Sequence, residues 1–434
     1  MQAGALGVGG LTLADLFRCR ASAAGNAGKS SGTSVILIWL SGGPGHMETW
    51  DPKPLAPAEY RGPLAAIDTT VPGVQFSELM PEQAKLMDHL AVLRTVNHGS
   101  GDHTKGNHWM LTGFEGPAFN APDNNQQRRP ALGSAVAKLR GPNRAGLLPY
   151  VAVPHLRGGT DNLFHYASYL GGGFNPFIVN SDPNEKNFAV RNLAMLGELT
   201  LERAADRRAL SRQFDKLRTG AERQMQDLAE HQQAAFDLLT SREVRDAFDV
   251  SQESAQTRDS YGRHTFGQSA LLARRLVERG VTFVTVNCVP WDHHGSPGQY
   301  KTEEGAKLLI PPLDRAIAGL IRDLIDRGLY EKTLVVAMGE FGRTPRLNAN
   351  AGRDHWGNTF SVLMGCGGMR MGQVIGRSGR RGEEVVERPL TPQDVAATVY
   401  HHLGIDGSRI QFRDHLDRPM PLIERGEPIR ELFG

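Results

Sequence analysis

Residues 35–40, Val35-Ile36-Leu37-Ile38-Trp39-Leu40, run without a polar break into the turn Ser41-Gly42-Gly43-Pro44-Gly45. A short continuous apolar run that stops at a glycine-rich turn reads as a strand buried on both faces, and strands of that kind belong to parallel sheets covered by helices. Similar runs recur at Leu90 to Val96, Leu148 to Val153, Val281 to Val286, Leu334 to Met338 and Phe360 to Met364. Amphipathic stretches lie between them. In Phe266 to Gly280, Leu271, Leu272, Leu276 and Val277 fall at helical spacing before a glycine stop. Another helix opens at Thr391-Pro392-Gln393-Asp394, with a capping Thr, Pro at the first position and an acid at the third. Alternation of strand and helix predicts an α/β fold with a mostly parallel central sheet. Residues 200–258, rich in Arg, Glu, Gln and Asp, break the alternation and read as a helical insertion. Strand-like runs stand on both sides of it, so residues 33–434 are expected to form a single domain. No 20–50-residue period repeats, which argues against a solenoid.

Composition narrows the function classes. The 434 residues carry 49 Lys+Arg against 47 Asp+Glu, a formal net charge of +2, with 40% hydrophobic and 22% charged residues. Such a chain is globular, and no charge excess marks nucleic acid or an anionic membrane as partner. Three cysteines, Cys19, Cys288 and Cys366, are too few and too scattered for a disulfide framework or a Cys-rich zinc module. A metal would have to be held by His and carboxylate. Residues 1–32 contain an apolar, small-residue stretch followed by Arg18, Cys19 and Arg20, which looks like the core of an export signal lacking its leading basic segment. The leader reads as truncated, a frayed helical tail being the bland alternative. Export to the periplasm or beyond, with no stable membrane insertion of the body, is the expectation.

In open parallel sheets ligands bind beyond the carboxyl ends of the strands. The residues there are consistent from strand to strand. His46, Glu48 and Asp51 follow the first run; His98, Asp102, His103, Lys105 and His108 follow the second. Asp292, His293 and His294 follow the run 281–286, Glu340 and Arg343 follow 334–338, and Asp354 and His355 come shortly after. Imidazole and carboxylate suit zinc first, with manganese, iron or calcium as alternatives, and one or two ions are compatible with the pattern. Each cluster taken alone could be a capped loop with solvated histidines; their repetition after successive strands favours a metal site. His98, His108 and His155 could be satisfied polar residues, and His231, His401 and His402 sit on helix-like segments as surface or packing residues. Arg343 and Lys105 lie inside clusters where a substrate oxyanion needs a counter-charge, or else neutralise carboxylates. The glycines at 42, 43 and 45 fit neither a dinucleotide nor a P-loop pattern.

The blocks GGPGHMETWDPKP, NHGSGDHTKGNHWMLTG, FGQSALLARRLVERGVTFVTVN with WDHHG, MGEFGRTPR and GRDHWGN resemble, in order, the signature blocks of the sulfatase-like domain-of-unknown-function family 1501. The resemblance runs from about Val35 to the C-terminus, and the N-terminal segment is similar to that family's exported leader, with twin-arginine export implied. Membership implies the alkaline phosphatase superfamily fold, a three-layer α/β/α sandwich with its metal site at the strand ends. It also implies hydrolysis of phosphate or sulfate esters, small-molecule or polysaccharide, with a metal-bound hydroxide or a residue at a helix N-terminus as nucleophile. The position of the family nucleophile falls on His103, favoured as a ligand, with Thr104 beside it as the substitute hydroxyl. The implied ligands are Glu48 or Asp51, His103, Asp292, His294, Glu340 and His355, with Arg343 or Lys105 on the anion. No C/S-x-P-x-R pattern surrounds a cysteine, so the formylglycine route to sulfate esters is doubtful. The absent acid directly after the first strand keeps open a rival reading, a metal-binding or structural protein without turnover.

Overall fold

The computed structural model describes residues 32–123, 126–156, 164–190 and 242–434. The export-like segment and residues 200–241 of the expected insertion lie outside the described residues; its remainder contains helices at Arg242–Phe248 and Ala255–Tyr261.

The eight strands of the main sheet are β1 (Ser34–Trp39), β2 (Ala91–Val96), β3 (Tyr150–Val153), β4 (Phe177–Ile178), β5 (Phe283–Asn287), β6 (Thr333–Met338), β7 (Phe360–Gly365) and β8 (Gln373–Ile375). They lie in the order β8-β2-β7-β6-β1-β5-β3-β4. Five of the seven pairings are parallel; β7 runs antiparallel to both of its neighbours, β2 and β6. All six predicted strands are present. The short edge strands β4 and β8 were not anticipated, because two or three residues give no apolar run long enough to read.

The side chains of β1 divide the interior into two layers, as the period of two along a strand requires. Ile36, Ile38 and Leu40 pack in the core formed with α3 (Thr265–Arg279) and α4 (Thr302–Asp326). Val35, Leu37 and Trp39 pack in the other, with α1 (His103–Thr112), α2 (Leu132–Arg140) and α5 (Pro392–His402). The result is a three-layer α/β/α sandwich. Truncating Ile36 or Ile38 to Ala would cost about 2–5 kcal/mol through lost burial and a cavity. The helix ends follow the expected chemistry: α3 stops at Gly280 with φ 112°, and Thr391 caps α5 through the Asp394 amide.

Register places the site. Trp39 stands level with Asn287 on one side and with Met338 on the other, so the chain leaves β1, β5 and β6 at one height of one sheet edge. The segments 40–51, 288–295 and 339–343 therefore start side by side.

Candidate metal centre

Three imidazoles and a carboxylate meet at that edge. His103 is the first residue of α1, whose N-cap Asp102 accepts from the Lys105 amide. Asp292 and His294 come from the segment after β5. His355 is set by a two-residue ribbon in which it pairs with Arg343 and Trp356 pairs with Gly342. Asp292 Oδ1 is the hub: His103 Nε2 lies 3.4 Å away, His294 Nε2 3.3 Å and His355 Nε2 3.3 Å. Tetrahedral ligands around a cation bound at about 2.1 Å stand roughly 3.4 Å apart, so these separations would suit a cation between the rings and the carboxylate.

The far side of each ring is anchored. His103 Nδ1 donates to Glu340 Oε1 at 2.7 Å, His294 Nδ1 to Asp354 Oδ1 at 3.0 Å, and His355 Nδ1 to the Gly101 carbonyl at 2.8 Å. Each partner only accepts, so each Nδ1 holds a proton, and each Nε2 faces inward, where it offers a lone pair once the ring is neutral, as metal-ligating histidines do. His294 Nε2 and His355 Nε2 stand 2.9 Å apart. Two nitrogen lone pairs at that separation repel unless a proton or a cation lies between them. The side chains of His103, His355 and Asp292 are 22%, 23% and 30% exposed, open enough for a small ligand to arrive. Phe341 stacks on His355 with ring centres 4.5 Å apart and walls the inner side.

The electrostatics follow from this geometry. Burial opposes a charge on His103, yet hydrogen bonds to Asp292 and Glu340 push it up to about 10. Asp292 is held far below the usual carboxylate range: burial works the other way and is outweighed by hydrogen bonds from the three imidazoles and the charge of Arg343. Burial lowers His355, while His294 is raised, chiefly by its hydrogen bond to Asp292. A proton on His103 is thus the counter-charge that a cation would displace.

Glu340, expected as a ligand, stands behind His103. Its carboxylate accepts His103 Nδ1–H and the Gly42 amide, at 2.9 and 3.0 Å to its two oxygens. Gly42 explains the missing acid after β1. Its φ is 103° and a Cβ there would fall 2.8 Å from the Trp291 nitrogen, so only glycine lets this turn press against the Asp292 segment. At that turn the Gly42 amide instead meets the Glu340 carboxylate from beyond β6.

Other expected roles are corrected by the contacts. Glu48 pairs with Arg353 at 2.8 Å, and Asp51 with Lys53 at 2.9 Å and Arg94 at 3.2 Å, so both acids already have cationic partners. Thr104 Oγ1 donates to Asp102 Oδ1 at 2.6 Å and is fully buried, which removes it as the substitute hydroxyl. Lys105 pairs with Glu115 at 2.5 Å, away from the hub. Arg343 is 2% exposed, and all five of its N–H donors are taken. They go to the Gly42, Gly43 and Arg353 carbonyls, His294 Nε2 and Asp292 Oδ1, leaving none for a substrate anion. Arg343 fixes Asp292 instead.

His103, Asp292 and His355 offer ligand atoms that all lie within 4.8 Å of each other and could hold a metal ion. His98 and His108 are satisfied by backbone partners, the Glu340 and Phe114 carbonyls, as the bland reading has it. Sequence reasoning missed Asp354 as the partner of His294, although it stands next to His355 in the same block.

Residues 32–433 match the family described as "Protein of unknown function (DUF1501)". The chain belongs to this family. No curated protein shows a significant match. Among solved structures, the chain is similar to the lipoteichoic acid synthase LtaP from Listeria monocytogenes, at 12% identity and a TM-score of 0.42 over 87% of this chain and 74% of that one. It is also similar to the phosphonate monoester hydrolase SpPMH from Silicibacter pomeroyi, at 12% identity and 0.40 over 92% and 76%. A third likeness is to the PsFucS1 sulfatase from Pseudoalteromonas sp., at 13% identity and 0.35 over 90% and 72%. At such identities chemistry has to be argued from the site itself.

Proposed function

We propose that this protein is a hydrolase of phosphate or sulfate esters that works with one divalent cation, zinc by preference, held by His103, Asp292 and His355. The observation that carries the reading is the set of Nδ1-anchored imidazoles whose Nε2 atoms surround Asp292 Oδ1 at coordination-sphere spacing. Arg343 Nη1 lies 3.2 Å from His294 Nε2 and competes for its lone pair, which keeps a fourth position open for a ligand. An open position is the mark of a catalytic rather than a structural zinc site. A cation there supplies Lewis acidity toward an ester oxygen and lowers the pKa of bound water.

The chain's own residues do the rest. Glu340 fixes the His103 tautomer, Asp354 that of His294, and the Gly101 carbonyl that of His355. Arg343 holds Asp292 in place and offsets its charge. Thr104 is spent on the helix cap, and burial pushes the Cys366 thiol up to about 11 and the Cys288 thiol higher still. Water is therefore the nucleophile that fits the site. His294, partly exposed, is tied to Asp354 through Nδ1 and to Arg343 through Nε2, which fixes its ring at the rim of the site. The ester is a small molecule or a polysaccharide, and export through the N-terminal segment fits such a substrate.

A second reading has one observation in its favour. His294 Nε2 is as near Asp292 Oδ1 as His355 Nε2 is, and four protein ligands would close the sphere into a structural clip. Elemental analysis, coordination number from X-ray absorption, and a phosphatase, diesterase and sulfatase substrate panel separate the two. Metal content with an exchangeable oxygen ligand and turnover restored by added metal is expected. A four-protein-ligand sphere without turnover would establish the clip, and absence of any bound metal would end both. Cell fractionation with a periplasmic marker tests the export.

A further inference from the structure

Behind the metal centre lies a second cluster of polar atoms. A cavity of about 10 Å³, the room one water needs, is lined by Glu48, His293, Thr302 and the two arginines Arg343 and Arg353. Glu48, His293 and Thr302 are 4%, 8% and 3% exposed. Among the described residues, Glu48 Oε2, His293 Nε2 and Thr302 Oγ1 have no hydrogen-bond partner. Three unpaired polar atoms around one small cavity are costly unless a ligand serves them all.

Glycine makes room for two of these groups. A Cβ at Gly305, one turn into α4 from Thr302, would fall 2.3 Å from His293 Nε2, and a Cβ at Gly45 would fall 2.1 Å from Glu48 Oε2. Neither the ring nor the carboxylate could lie where it does with any other residue at those positions.

The chemistry selects the ligand. Glu48 is a pure acceptor whose charge is already matched by Arg353 at 2.8 Å. The imidazole nitrogen of His293 gives or accepts according to its tautomer. A hydroxyl gives or accepts. A cation would sit against two guanidinium groups with one already-paired carboxylate, an unfavourable arrangement in a buried pocket. A water donates to Glu48 and makes one hydrogen bond each with His293 and Thr302, the three bonds typical of buried waters.

We propose that Glu48, His293 and Thr302 bind a single buried water that ties the Asp292–His294 segment to the N-terminus of α4. His293 is thereby a positioning residue for its neighbours Asp292 and His294. The positioning role rests on the metal reading above; the water site does not.

A high-resolution crystal structure of the full chain, with anomalous data at the zinc and manganese edges, tests the site. One density peak within about 2.6–3.2 Å of all three atoms and without anomalous signal is expected. An anomalous peak there, or direct pairing of the three side chains, overturns the proposal. For the positioning role, Thr302→Val removes one partner at constant shape and Thr302→Ser restores it. Competition against a zinc chelator should show affinity falling several-fold in Thr302→Val and recovering in Thr302→Ser. Unchanged affinity in a Thr302→Val protein that has lost the water refutes positioning. If the wild-type centre binds no cation, the metal reading and the positioning role fall together, while the density still decides the water.

Discussion

Asp292→Asn is the sharpest test of the centre, because one atom of Asp292 serves four partners. Its Oδ1 lies 3.3–3.4 Å from the three Nε2 atoms and 2.5 Å from Arg343 Nη2. The substitution keeps shape and an accepting oxygen but removes the one carboxylate of the proposed ligand set. Two consequences can be sized. The Arg343 guanidinium loses its counter-charge: with charge centres about 4 Å apart and an effective dielectric near 20, the Coulomb attraction is about 4 kcal/mol. Asp292 is 30% exposed and Arg343 keeps three carbonyl partners, so about 2 kcal/mol is the expected net loss. For a chain of this length, with unfolding entropy near 2.1 cal/mol/K per residue, that lowers the melting temperature by only about 2 °C. Cation binding suffers far more, since a neutral amide replaces an anionic ligand; a loss of about a thousandfold, roughly 4 kcal/mol, is expected. Calorimetric titration of metal-free wild type and variant with zinc, beside melting curves of both, measures the two effects separately. A variant that binds zinc as tightly as wild type would refute the placement of the ion, and one that fails to fold would refute the claim that Asp292 serves the site more than the fold.

Three further outcomes are expected. Replacing Glu340 by Gln removes the carboxylate that helps to hold a proton on His103, so the pH at which cation binding saturates should fall from near 10 toward the ordinary imidazole range; an unshifted profile in binding titrations across pH 6–10 counts against Glu340 as the partner of His103. Gly42→Ala forces a side chain into a turn with φ 103° and 2.8 Å from the Trp291 nitrogen, and should destabilise by more than about 1 kcal/mol while weakening the cation site; a stable variant with intact binding contradicts the close approach. His46 and His108 are buried and lowered to about 4, by burial above all, whereas the unfolded chain takes up those protons below about 6.5. Their folded pKa values are depressed, so the unfolded state gains protons first as pH falls. Stability is complete above pH 6.5 and is lost between there and pH 4, about 3 kcal/mol for each, which melting curves from pH 7.5 to 4.5 should register.

The fold was legible because its central strands are apolar on both faces. Val35 to Leu40 has no polar residue to blur its limits, and the observed strand, Ser34–Trp39, is offset by one residue. The three-layer sandwich implied by the family blocks is the architecture found. What escaped were Phe177–Ile178 and Gln373–Ile375, edge strands defined by ladder pairing with Val151–Ala152 and Ala91–Leu93 and not by their own side chains. The antiparallel sense of β7 escaped as well, since direction is set by connection and not by composition.

The site was legible at one level and not at the next. Clusters of His and carboxylate after successive strands pointed to side chains that meet, because strand register brings those segments to one edge. Which carboxylate faces the shared point and which stands behind a ring depends on a few ångströms of backbone, and no residue pattern carries that. Glu340 is the instructive case: it sits in the right segment with the right chemistry, yet Gly42 presents an amide that holds its carboxylate one step back, on the far side of His103. Of the two roles open to Arg343, the contacts favour the pairing with a carboxylate over the substrate anion. Its charge suggested a substrate anion, but the Gly42 and Gly43 carbonyls of the β1 turn take two of its donors, and Arg353, His294 and Asp292 take the other three. The glycine pair that looked like a mere loop thus decides the role of both charged residues. Swapping Glu340 or Arg343 alone therefore cannot convert one into a ligand or the other into an anion binder while the turn at Gly42 stays where it is.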